Sequence, residues 1–151
     1  MQLQLRPLMV LTADLEAPQI LGATPDGDRK TVLIQGGRVE GDRVRGRLLP
    51  GGGDWARIRS DGVLILDVRL TIETDDGALI HCEYEGMRHG SPEVMARLAA
   101  GESVEPENYY FRIAPRFQTA SREYAWLNRL LAVGAGERLA TGPRYHIYEV
   151  L

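Results

Sequence analysis

Residues 55–88 read WARIRSDGVLILDVRLTIETDDGALIHCEYEGMR, and this stretch decides the fold. Trp55 to Arg59 forms a short strand, Ser60-Asp61-Gly62 a hairpin turn, and Val63 to Thr74 a long strand. Asp75-Asp76-Gly77 then turns the chain into Ala78 to Arg88. The side chains alternate with period two, the mark of half-buried strands. The Asp-Gly pairs supply the positive-φ positions of tight turns. Two hairpins in succession force an antiparallel sheet.

The same reading extends in both directions. Upstream, Gln2 to Leu15 is a strand in which Pro7 implies an edge, a bulge or two shorter segments. Ala23 to Asp28 is a turn-rich loop and Lys30 to Gln35 a second strand. Gly36-Gly37 and Gly41-Asp42 provide turns before a strand at Val44 to Leu49, which Pro50 and Gly51-Gly52-Gly53 close. Downstream, Ser91 is a good N-cap, Pro92 fits the first helical position and Glu93 suits the first turn. Val94, Met95 and Leu98 make one apolar stripe, and Gly101 stops the helix, a short element expected to plug or cover the sheet. Tyr109 to Thr119 returns to strand. Tyr124 to Val133 is ambiguous, with strand favoured from Leu127. Gly134 to Gly142 reads as a glycine-bearing turn and Pro143 to Leu151 as a closing strand. The sum is about eight strands and one short helix, an all-β chain closing into a single antiparallel β-barrel over residues 1–151. About eight strands leave an interior that is filled by side chains or holds one small ligand, as in a lipocalin-like barrel. A two-sheet sandwich is the runner-up.

Composition narrows the function. A net charge of −3 gives no electrostatic case for nucleic acid or an anionic membrane. No run approaches the about 18 apolar residues of a membrane span. The start, Met1 to Arg6, lacks the basic region and long apolar run of a signal peptide. Cys82 is the lone cysteine, so no intrachain disulfide can form. Together these lead us to expect a cytoplasmic protein. A homodimer is expected only because paired subunits are common.

Several motifs carry a resemblance. Leu49-Pro50-Gly51-Gly52-Gly53-Asp54-Trp55, Thr74-Asp75-Asp76-Gly77-Ala78-Leu79-Ile80, Arg88-His89-Gly90 and Tyr109-Tyr110-Phe111-Arg112 are four of them. Pro115-Arg116-Phe117 and Tyr124-Ala125-Trp126-Leu127-Asn128-Arg129 complete the set. The chain resembles, over nearly its whole length, a bacterial family with no assigned activity, catalogued as domain of unknown function 3237. The resemblance implies a β-barrel similar to allene oxide cyclase and dirigent-type barrels, a group that includes cofactor-free cyclases and ligand-steering proteins. It implies no reaction, since one barrel hosts many functions. The chain departs from the expected pattern at Gln118, where an acid would follow Phe117.

Candidate site residues follow from strand faces. In Val63 to Thr74 the even positions are plainly core, whereas the odd face turns polar at Asp67 and Arg69, about 7 Å apart. Within a pocket they would anchor a carboxylate or enolate, with Asp67 as general base. On a surface they would be a weak salt bridge. Tyr110 and Arg112 share one face and would form an oxyanion site, or a stacked pair at the rim. Trp55, Tyr84, Phe117 and Trp126 are candidate walls, with Asn128 beside them. Asp54 reads as a structural acceptor of backbone N–H bonds. His81, His89 and His146 lack metal-ligand spacing, and no metal site is expected. Cys82 reads as a buried thiol rather than a nucleophile. No nucleophile elbow, phosphate loop or dinucleotide fingerprint is present, so no cofactor is implied.

The leading expectation is a cofactor-independent enzyme of isomerase, cyclase or lyase/hydratase type acting on an apolar or aromatic carbonyl compound. The alternatives are a non-catalytic binding or carrier barrel and a structural module with a filled interior. Outward-pointing Asp67 and Arg112 around a wholly apolar lumen would favour the carrier. The absence of a cavity of about 300 Å³ or more would favour the structural module.

Overall fold

The computed structural model describes residues 1–151. Its strands run as β1 (Leu5–Leu15), β2 (Gln19–Thr24), β3 (Gly27–Glu40), β4 (Gly46–Leu48), β5 (Gly53–Ile58), β6 (Leu64–Thr74), β7 (Leu79–Gly90), β8 (Tyr109–Gln118), β9 (Ala132–Arg138) and β10 (Pro143–Val150). One α-helix, α1 (Pro92–Ala99), follows β7. All pairings are antiparallel, in the order β1-β10-β9-β8-β7-β6-β4-β3-β2, and a second edge of β1 pairs with β3. That last pairing closes the ring. Of the ten strands, β2 hangs outside the closure and β4 and β5 share one place between β3 and β6, so nine strands fill eight places around the barrel.

The predicted meander is present as β5, β6 and β7. On β6 the residues Leu64, Leu66, Val68, Leu70, Ile72 and Thr74 are all buried and fill the interior, as strict alternation requires. Ile80, Cys82 and Tyr84 continue the core on β7. The kink expected from Pro7 appears as a register shift between Pro7 and Met9. The Ser91 hydroxyl caps α1 by accepting from the Val94 N–H at 3.2 Å. Leu98 is buried, and Val94 and Met95 pack against the core. The helix covers a corner of the barrel beside the end of β7 and contributes nothing to the lining of the lumen.

Four expectations need correction, the first being the turn expected at Gly36-Gly37: both residues lie inside β3 and pair with β1, and a Cβ on Gly37 would collide with the Thr12 carbonyl oxygen. Residues 125–129 form a 3-10 turn rather than a strand. Most of the segment expected as a turn from Gly134 is instead strand β9. The reason is space: a Cβ on Gly136 would come within 2.7 Å of the Phe111 ring and 2.9 Å of the Tyr145 ring. A Cβ on Gly134 would come within 2.7 Å of Ile113. These glycines are strand positions that accommodate large neighbours. Finally, β2 was not anticipated; it pairs with β3 through the segment read as a loop.

The two ends of the barrel differ. At the end where β6 passes to β7 and β8 passes to β9, Ile72, Ile80, Phe117 and Leu127 are buried and close the interior. The other end is open. No helix is long and apolar enough to cross a membrane.

Candidate functional site

At the open end the lumen widens into a cavity of about 550 Å³. Its walls come from inward positions of successive strands: Lys30, Val32 and Ile34 on β3, Asp54 on β5, Leu64, Leu66 and Val68 on β6, and Tyr84 and Arg88 on β7. Phe111 on β8, Arg138 on β9 and Tyr145 on β10 complete the ring. The rim is made by Glu16-Ala17-Pro18 after β1 and by Ala140-Thr141 before β10. Register places Asp54 opposite Val68 and Val68 opposite Tyr84, so these lie in one row. Arg88 pairs with Leu64 on one side and Phe111 on the other.

Asp54 is half-buried, and its Oδ1 accepts the Asp67 backbone N–H at 3.0 Å. Burial pushes its carboxyl up to about 6, against the opposing pull of that N–H and of Lys30. Burial pulls the Lys30 ammonium down, helped by the Arg88 charge. Arg88 is likewise pulled down by burial and by Arg138, and Arg138 by burial. Burial raises both the Tyr84 and the Tyr145 phenols. The Tyr145 ring meets Tyr84 edge-on at 5.4 Å and Phe111 at 5.2 Å. The Arg88 guanidinium lies 5.5 Å from the Phe111 ring centre. On the next strand, the Tyr109 hydroxyl accepts the Arg138 N–H at 2.8 Å and steadies β9. Two buried polar atoms in this lumen have no hydrogen-bond partner, Arg88 Nε and Tyr145 Oη. Buried polar groups are ordinarily satisfied, so each calls for an explanation.

The residues singled out in the sequence divide between lumen and exterior. Asp67 and Arg69 do share a face and do pair, at 3.0 Å, but the face is the outside of the barrel and both side chains are about half exposed. In a closed barrel only one face of a strand meets the interior, and on β6 the apolar face takes it. Tyr110 and Arg112 also alternate outward; Tyr110 stacks on His89 at 4.8 Å, and Arg112 lies 5.1 Å from the Tyr110 ring centre. Gln118 is exposed on the same outer face, away from the lumen. Trp55 is 40% exposed outside β5, with the Arg69 guanidinium 5.8 Å away. Trp126 sits beside the closed end under Arg43, at 4.0 Å. The Asn128 amide is taken up by the Thr119 backbone, accepting from its N–H at 2.8 Å and donating to its carbonyl at 3.0 Å. Phe117 is buried in the filled half of the core. Of the candidate walls, Tyr84 lines the cavity.

The lumen is not wholly apolar: Lys30, Asp54, Tyr84, Arg88, Arg138 and Tyr145 make its walls polar, and Asp14, Glu16, Gln35 and Thr141 also line it. A signal for Lys30, Asp54, Arg88 and Arg138 exists in the sequence: each ends or interrupts a run of inward apolar or small positions. Arg88 follows Ile80, Cys82, Tyr84 and Gly86 at spacings of two, and Arg138 follows Ala132, Gly134 and Gly136 likewise. No three His, Cys, Asp or Glu side chains form a group that could hold a metal ion.

Comparison with known proteins agrees with this architecture. Residues 3–150 match the family described as Protein of unknown function (DUF3237). The UPF0311 protein RPA1785 of Rhodopseudomonas palustris is 35% identical over 149 residues, 99% of this chain and 97% of that one. Its crystal structure, that of a conserved protein of unknown function, aligns with a TM-score of 0.94 over 99% of this chain and 98% of that one. A β-barrel-like protein from Acinetobacter baumannii AYE is 44% identical, with a TM-score of 0.87 over 99% of this chain and 97% of that one. A structure described as an enzyme from Penicillium herquei shares the fold alone, at 19% identity and a TM-score of 0.72, over 99% of this chain and 94% of that one.

Proposed function

The chain belongs to the family of proteins of unknown function DUF3237, and from that premise we propose that it is a cofactor-independent enzyme moving protons on a small apolar or aromatic carbonyl compound held in the lumen. The observation that carries this reading is Asp54: a carboxyl brought to about 6 within a cavity that also holds Lys30, Arg88 and Arg138. A group titrating near neutrality exists in both forms and serves as base and then as acid.

The step is proton abstraction next to a carbonyl. Asp54 takes the proton, the C–H bond breaks, and its electron pair moves to the carbonyl oxygen as an enolate. Lys30, the diagonal neighbour of Asp54 in the same lumen, is a donor for that oxygen. Asp54 then returns the proton to the same carbon (exchange) or to another carbon of the conjugated system (isomerisation). Where the enolate instead expels a group from the β-carbon, or attacks an electrophilic carbonyl within the substrate, Asp54 gives the proton to the departing group or to the new alkoxide, which makes the step an elimination or a ring closure. Leu64, Leu66, Val68 and Phe111 form an apolar wall for its body. The base assigned here is Asp54 rather than Asp67, because Asp67 stands outside the barrel.

The test needs no knowledge of the product. The protein is incubated in D₂O with a panel of small aromatic and alicyclic ketones, and loss of the α-proton signals is followed by NMR. We expect protein-dependent exchange for at least one ketone, reduced about 100-fold or more in Asp54→Asn and retained in Asp67→Asn. Ketones that bind without exchanging would replace this reading with a carrier barrel.

A further inference from the structure

Lys30 and Asp54 are diagonal neighbours across β3 and β5, for Lys30 lies opposite Ala56 and Asp54 opposite Val32. Each is a charge that the other can offset. Arg88 feels the Asp54 carboxylate only beyond ion-pair distance, and Arg138 has no carboxylate acting on it. Neither forms an ion pair, whereas Arg47, Arg59 and Arg69 on the outside pair with Glu73, Asp61 and Asp67. The Arg138 side chain donates to the Leu139 carbonyl, and the Arg88 Nε donates to nothing. Tyr145 joins them: it lies opposite Gly136, two residues before Arg138 on the same face, and its hydroxyl is buried with the Tyr84 phenol beside it. Gly136 places no side chain between them. Two like charges and a buried hydroxyl converge on the inner wall of the lumen, and a single anion would satisfy all three.

We propose that Arg88, Arg138 and the Tyr145 hydroxyl form an anion subsite that takes the carboxylate of an otherwise apolar ligand. The proposal rests on the reading of the lumen as the ligand site and narrows its substrate class to apolar acids. Arginine suits the task because its planar fork matches a carboxylate. Phe111, between Arg88 and Gly136 in the ring of strands, backs the guanidinium. Asp54 stands in the row of Tyr84, and its charge reaches both Arg88 and Tyr145. A carboxylate seated at the two arginines thus leaves its hydrocarbon part facing Asp54 and the apolar wall.

The probes are 3-phenylpropanoate and its neutral match, 3-phenylpropanamide, titrated calorimetrically into the full chain near neutral pH. The expected result is a preference for the acid of about tenfold or more, from its charge-assisted hydrogen bonds. In Arg138→Gln the acid should lose most of its preference over the amide, and Arg138→Lys should restore part of it. Thermal melts establish that the variants fold, and Arg88→Gln serves if Arg138→Gln does not. Equal binding of acid and amide, no binding of either, or a preference that survives both substitutions would overturn the subsite. Deuterium exchange on neutral ketones without any acid preference would overturn the subsite and leave the proton-transfer reading standing. An acid preference without exchange of any ketone would support the subsite and remove the proton-transfer reading.

Discussion

At Asp54 the folded carboxyl titrates near 6 against an ordinary value of 3.8, so protonation and folding are linked. A carboxyl whose value is raised on folding adds stability below about 3.8, where it is protonated in both states, and that contribution is lost as pH rises through about 6. Asp54→Asn imitates the protonated form and keeps an oxygen for the Asp67 N–H. The variant should match the parent near pH 4 and exceed it at pH 8 by on the order of 1 kcal/mol, after allowance for the lost attraction to Lys30. Urea melts at the two pH values measure the difference, and a variant less stable at pH 8 would contradict it. Asp54 was legible behind its three glycines as an acceptor of a backbone N–H, which it is for Asp67, but its place in the lumen was not. A polar strand face such as Asp67 and Arg69 looks like a pocket, whereas in a closed barrel the pocket lies on the core face. Its charges are therefore the few that break an apolar alternation: Asp54 before Ala56, Arg88 after Tyr84, Arg138 after Gly136. Cys82 was legible for the same reason, since it continues the core alternation of β7; it is buried, and burial pushes its thiol up.

Among the elements, the hairpins of the meander were legible because Asp-Gly turns and period-two patterns agree there. Strand β9 was hidden because glycine is read first as a turn residue, and nothing local announces that Phe111 and Tyr145 occupy the space a Cβ would need. The 3-10 turn before it was hidden because Tyr124 to Val133 satisfies either pattern. What anchors that turn is Asn128, whose amide makes a two-point clasp with Thr119 at the end of β8. Asn128→Ala should lower stability by about 1 kcal/mol, the scale of a partly exposed hydrogen-bonded amide. It should leave 3-phenylpropanoate affinity unchanged, because the clasp lies at the closed end. Parallel thermal melts and titrations separate the two effects, and a large loss of affinity would place Asn128 in the binding machinery after all.

For the molecule as a whole, the architecture was legible from many short alternating strands, whereas the seam that closes them was not. β1 pairs with β10 on one edge and β3 on the other. Glu149 of β10, buried, accepts from Arg6 of β1 at 2.6 Å and from Arg43 of the loop after β3, and Arg43 in turn lies over Trp126. Residues from both ends and the middle of the chain thus meet at one carboxylate, a relation that no local pattern reveals. A chain ending at residue 142 lacks β10 and bares edges on β1 and β9. Bare edges invite pairing with other chains, so the truncated protein should aggregate or elute as large species in size-exclusion chromatography, while the full chain elutes at a discrete size. The filled floor beneath the lumen has a further consequence. With Leu127 and its neighbours sealing one end, the cavity is a cul-de-sac: whatever goes in past Ala17 and Thr141 must back out past them. Entry and exit therefore share one doorway, and a molecule lodged between those two rims would stop the barrel like a cork, without ever reaching Asp54.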